Sequence, residues 1–205
     1  MINLARLFSF VFHPVFIPVY LILLSYISDP YLQYIIPVSR MKPILLLLLI
    51  NTILMPLISF FYLRYKGVFH SLFLESKNER KIGVLILFAF HLVTYILWRN
   101  LALPASFMSL FLGILITLAA VFFITSFFKI SLHTTAFGGL IGALLGLFRA
   151  HGFLDYSILA LALLGLGLVA SSRLLMQAHR PSEVNWGAIL GFVTLYVCSA
   201  FSLYI

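Results

Sequence analysis

With 205 residues, 63% of them hydrophobic and only 9% charged, and a mean hydropathy of +1.16, the chain cannot cover itself with a water-facing surface; soluble domains carry roughly 25% charged residues. Its solvent is lipid, where every backbone donor and acceptor needs an internal partner, so only helices or a closed barrel are open to it. The single cysteine, Cys198, excludes an internal disulfide, and the net charge of +8 sits in short joints beside a membrane, which suits either an anionic partner such as a lipid headgroup or phosphate, and not nucleic acid, or ordinary topology-setting charge.

The apolar stretches are long and unbroken, without the alternation of barrel strands. They predict one all-α domain over residues 1–205, a polytopic membrane helical bundle with about seven transmembrane helices and a multi-pass location in the cell membrane. The first span is read at 8–27, behind Arg6; no small-residue cleavage site follows, so it is taken as permanent, with His13-Pro14 near its start. The second, at 43–64, carries Asn51. A long joint over 64–81 mixes Arg64, Lys66, His70, Glu75, Lys77, Glu79, Arg80 and Lys81 with apolar Val68, Phe69, Leu72, Phe73 and Leu74, as an amphipathic segment at headgroup level would.

The remaining spans are read at 82–98, 104–128, 132–149, 154–172 and 184–204. His91 and Asn51 are expected to hydrogen-bond between helices, and Trp98 and Trp186 to anchor at the interfaces. Gly138, Gly142 and Gly146 in the fifth span, and Gly187 and Gly191 in the last, recur at four-residue spacing, which lets helix backbones approach closely.

Counting crossings puts the joints at 64–81, 129–133 and 173–183 on the same side as the N-terminus. Arg6, Arg64, Lys66, Lys77, Arg80, Lys81, Lys129, Arg173 and Arg180 fall there, which the positive-inside rule would make cytoplasmic. If Lys77, Arg80, Lys81, Arg173 and Arg180 serve a site, the other basic residues divide evenly between the two sides, so the orientation stays open.

These same-side joints hold the chemistry. In the third, Ser172 and Arg173 close the sixth span, His179 follows, Pro181 suits the first turn of the seventh, and Glu183 lies four residues after His179. A carboxylate there can reach back to one imidazole nitrogen, fix the tautomer and free the other nitrogen to attack. Arg173 offers a planar fork of donors for phosphate oxygens. Ser131 is a candidate N-cap for the fifth span, next to His133, and a helix N-terminus favours an anion. Two spans separate His133 from His179, so both return to one face. His13, His70 and His151 are left outside the site.

Ser172, Arg173, His179 and Glu183 resemble the last signature of the type 2 phosphatidic acid phosphatase family, S-R-x5-H-x3-D, with Glu183 in place of the aspartate. Ser131 and His133 keep half of the middle signature, P-S-G-H. Of the first, K-x6-R-P, Arg80 is the counterpart of the arginine; Phe73 stands where lysine is expected and Lys81 where proline is, and Lys77 offers a substitute cation. The likeness runs from residue 75 to the C-terminus.

The resemblance implies a metal-independent phosphatase without a cofactor. His179 would be the nucleophile, Glu183 its orienter and His133 the general acid; Arg173, Arg80, Ser131 and Lys77 would hold the phosphate. The substrate would be a lipid phosphate or an isoprenyl pyrophosphate: phosphatidate, phosphatidylglycerol phosphate or a polyprenyl diphosphate. The degraded first signature sets a second expectation beside it, a non-catalytic relative that binds or translocates an anionic lipid. The oligomeric state is left open.

Overall fold

A computed structural model describes residues 2–69, 76–101 and 103–203. These residues form a bundle of α-helices: α1 Ile2–Val11, α2 Ile17–Ser28, α3 Pro30–Ile35, α4 Val38–Leu49, a π turn at Ile50–Leu54, α5 Met55–Tyr65, α6 Lys77–Asn100, α7 Ala105–Ile124, α8 Leu132–His151, α9 Tyr156–Leu175 and α10 Pro181–Ala200. Among them, six continuous helices are long and apolar enough to cross a membrane: α4 to α5 taken together, and α6 to α10. The chain is a multi-pass helical membrane bundle.

The first expected span is the exception. The apolar run at 8–27 is broken at His13-Pro14, where a residue preceding proline is turned away from helical geometry, and it becomes the two short helices α1 and α2. The joint expected at 64–81 is also reshaped. Ser76 caps α6 by accepting the Glu79 N–H at 3.1 Å, so the charges from Lys77 to Lys81 form the first turn of a helix and not a loop. The apolar Leu72, Phe73 and Leu74, with His70 and Glu75, lie outside the described residues.

At the centre, α8 runs parallel to α10 and is the most buried of the spanning helices. Their glycine stripes face one another. A Cβ on Gly138 would lie 2.1 Å from the Ala188 carbonyl oxygen, one on Gly142 2.2 Å from that of Phe192, and one on Gly191 1.9 Å from that of Thr135. The backbones are in direct contact, and the register does not drift from Gly138–Ala188 to Gly142–Phe192. Around this pair, Phe107, Leu110, Phe111, Leu144, Leu147 and Phe148 build the core. Outward, Leu161, Leu163 and Leu164 of α9 are 57–65% exposed, the surface that lipid covers.

Trp98 belongs to this core and is no interface anchor. It is fully buried, its ring centroid 4.3 Å from that of Phe111, whereas Trp186 is exposed. His91 is buried as well, and its Nδ1–H donates to the Leu87 carbonyl at 2.7 Å, one turn back in its own helix and not across to another. At the far end of α8, His151 Nδ1 bonds Asp29, which also caps α3, and His151 Nε2 meets Ser106 Oγ at 3.4 Å. This ties α2 and α7 to α8 on the face opposite the joint at 173–183.

The glycine contacts set a stability test. Gly138→Ala or Gly191→Ala drives a methyl into backbone that no rotamer can move, and is expected to cost about 1–3 kcal/mol, the range for overpacking. Gly167→Ala, where nothing lies within 4 Å, is the neutral control. Thermal unfolding in detergent micelles checks this; equal melting of all three variants would contradict the contact.

Candidate functional site

Four helix ends converge on one face. The in-register pairing brings the N-termini of α8 and α10 side by side, and the Ser131 N–H donates to the Glu183 carbonyl at 3.1 Å. Thr134 Oγ1 donates to the Val184 carbonyl at 2.8 Å, one turn deeper. The first turn of α6 joins them, since Arg80 Nη1 donates to the Ile130 carbonyl at 2.7 Å. Arg173 arrives from the last turn of α9.

His179 sits in the joint between α9 and α10, 8% exposed. Its Nδ1–H donates to Glu183 Oε2 at 2.8 Å, and the same oxygen accepts the Arg180 N–H at 3.1 Å. The carboxylate thus closes the first turn of α10 and fixes the imidazole tautomer together. The lone pair lies on Nε2, which has no hydrogen-bond partner among the described residues. Burial lowers the His179 pKa from 6.5 to about 4, the charges of Arg80 and Arg173 push the same way, and the bond to Glu183 opposes them. At neutral pH this ring is an uncharged base with one free nitrogen.

His133, in the first turn of α8, places Nε2 at 3.3 Å from the Ser9 carbonyl. A carbonyl only accepts, so that nitrogen carries the proton. Ser9 Oγ in turn accepts from Arg173 Nη1 at 3.4 Å. Ser131 stands at the N-cap of α8, but its side chain caps nothing. Its hydroxyl is fully buried and unpartnered among the described residues, as are Arg80 Nε and Arg173 Nε. A buried donor without an acceptor costs on the order of 1–3 kcal/mol. Three of them in one cluster, beside two helix N-termini, fit an anion with several acceptor oxygens.

Of the residues singled out in the sequence, His179, Glu183, His133, Arg173, Arg80 and Ser131 share this cluster. Lys77 does not: it is exposed at the rim, and its Nζ donates to the Ser126 carbonyl at 3.4 Å. It lies about one turn further out along α6 than Arg80, too far along the axis to share its depth. Conversely, His13 belongs at the site. Its ring centroid is 5.2 Å from that of His133, at 83°. The sequence signal for this was the break that a His-Pro pair imposes on a span beginning on the site's own face. Ser9 carried no comparable signal.

No family model, no curated protein and no solved structure matches this chain.

The depressed basicity of His179 is directly measurable. The unfolded chain takes up the proton near 6.5 and the folded one only near 4, so the contribution of this group to stability is complete above 6.5 and is lost as pH falls through that window. An NMR titration of the His179 ring Cε1–H is expected to show a midpoint near 4; a midpoint near 6.5 would mean that the ring is solvated.

Proposed function

We propose that the protein is a lipid-phosphate phosphatase of the cell membrane, a divergent relative of the type 2 phosphatidic acid phosphatases. The observation that carries this reading is the His179–Glu183 pair, beside the charges of Arg80 and Arg173; among the described residues, Nε2 of His179 and the buried Nε atoms of both guanidiniums have no partner. Such a constellation holds a tetrahedral anion and presents a neutral nucleophile to it.

In this reading Arg173, Arg80 and Ser131 bind the phosphoryl oxygens. Nε2 of His179 attacks phosphorus, a P–N bond forms, the P–O bond to the lipid breaks, and the departing alkoxide takes from His133 the proton that this ring accepted from the bound phosphate monoanion. Water then attacks phosphorus, His133 takes its proton, and the P–N bond breaks to release inorganic phosphate. Glu183 supports the charge that develops on the His179 ring without itself taking a proton. Catalysis would come chiefly from position and electrostatics.

A narrow apolar cleft adjoins the first turns of α8, lined by Leu132, Thr135 and Leu140 with Val15, Leu21 and Leu87. It offers a hydrocarbon chain a place beside the polar cluster, in keeping with a phosphatidate, a phosphatidylglycerol phosphate or a polyprenyl diphosphate as substrate. A second reading has its own observation: Lys77, the substitute for the missing signature lysine, is turned to Ser126, which favours a relative that binds an anionic lipid without turning it over.

Phosphate release from short-chain lipid phosphates by the purified protein separates the two. Wild type is expected to release phosphate, His179→Ala to release none, and Arg173→Ala to be slower by about 10²–10³. Release that is equal in wild type and His179→Ala would remove the enzyme reading. Turnover is expected to persist in EDTA, and its loss there would contradict a phospho-histidine route without metal.

A further inference from the structure

We propose that His13, at the corner between α1 and α2, is a positioning residue for proton transfer through His133, so that the N-terminal segment completes the site. The proposal rests on the hydrolase reading above.

The geometry around His133 is the argument. Its Nε2–H is committed to the Ser9 carbonyl at 3.3 Å, so only Nδ1 is free to exchange a proton with a reacting oxygen. One hydrogen bond fixes a tautomer but leaves the ring free to tilt about it. The His13 ring stands edge to face with it, at 5.2 Å and 83°, a second contact on the ring beside that hydrogen bond. His13 is itself held: its Nδ1 accepts the Val15 N–H at 3.3 Å. The corner is pinned one turn deeper by Phe12, whose ring lies 5.2 Å from Phe137 of α8 at 84°. Ser9 also accepts from Arg173 Nη1 at 3.4 Å, so the same short segment touches an anion-binding guanidinium and the proton-transfer imidazole.

In the first step, Nδ1 of His133 takes the proton that the phosphate monoanion brings with it, and passes it to the alkoxide oxygen as the P–O bond breaks and the P–N bond forms. In the second, Nδ1 takes a proton from the attacking water as the new P–O bond forms and the P–N bond breaks. A tilt of the ring would weaken both transfers. It would matter little for a leaving group that departs without a proton.

That difference is the test. His13→Ala removes the ring; His13→Asn removes it while keeping, in Oδ1, an acceptor for the Val15 N–H that shapes the corner. Turnover of a short-chain alkyl phosphate, whose leaving alkoxide needs a proton, is compared with that of p-nitrophenyl phosphate, whose phenolate does not. Both variants are expected to lose at least about tenfold more activity on the alkyl than on the aryl substrate, within the range that general acid catalysis supplies. Equal loss on both substrates, or no loss on either, would overturn the role of His13 while leaving the hydrolase reading in place. A wild-type protein that releases phosphate from neither substrate would overturn the hydrolase reading and this proposal with it.

Discussion

The in-register contact between α8 and α10 is the constraint on which the rest depends. Two parallel helices can join their first turns by a backbone hydrogen bond only if their axes approach closely there. Here that approach is made by the absence of side chains at Gly138, Gly142 and Gly191. The carbonyls of Ala188, Phe192 and Thr135 fill the places where methyl groups would be. Because the pair is parallel, both positive helix ends emerge on one face, and the Ser131–Glu183 backbone bond joins them there. His133 and His179 owe their common level to this packing, although 45 residues and two membrane crossings separate them along the chain.

Two polar clusters mark the two ends of α8, and they differ in kind. At one end, His151 has partners on both ring nitrogens, and Asp29 divides its oxygens between His151 and the first turn of α3. Those groups satisfy one another, as a structural tie does. At the other end, Arg80, Arg173 and Ser131 each keep a buried donor without an acceptor among the described residues, and Nε2 of His179 has no partner among them. Unpaired buried donors gathered in one place are what an anion from outside would satisfy, which is the basis of the function proposed above. The contrast within one helix is a stronger argument for a ligand than either cluster alone.

Much of this was legible in the amino-acid order. Six of the seven expected spans are helices whose ends fall near the apolar limits, because in lipid the backbone has no other way to pair. The His179–Glu183 pair was readable because one helical turn separates its members, and the shared face of His133 and His179 because two crossings do. What failed was whatever depends on rotation and depth. Trp98 looked like an interface anchor from its position at the end of a run, yet its face of α6 turns inward to Phe107 and Phe111. Lys77 and Arg80 are close in sequence, but one is at the rim and the other is buried. Ser131 suggested a cap, and the structure leaves its hydroxyl uncommitted. Hydropathy averaged over a window also hid the break at His13-Pro14, since the residues on either side are equally apolar.

That break bears on how the molecule is made. With 10 and 12 residues, α1 and α2 reach only about 15 and 18 Å, each short of the roughly 30 Å hydrocarbon layer. The bend between them pairs its own N–H groups, with Phe12, His13, Val15, Phe16 and Ile17 each donating locally, and it is held to the bundle by Phe12 on Phe137 and His13 on His133. Its wall is α8 and α9, which the ribosome delivers more than a hundred residues later. The native conformation of this segment therefore waits on helices made well after it, and biogenesis must shelter it until α8 and α9 have been inserted.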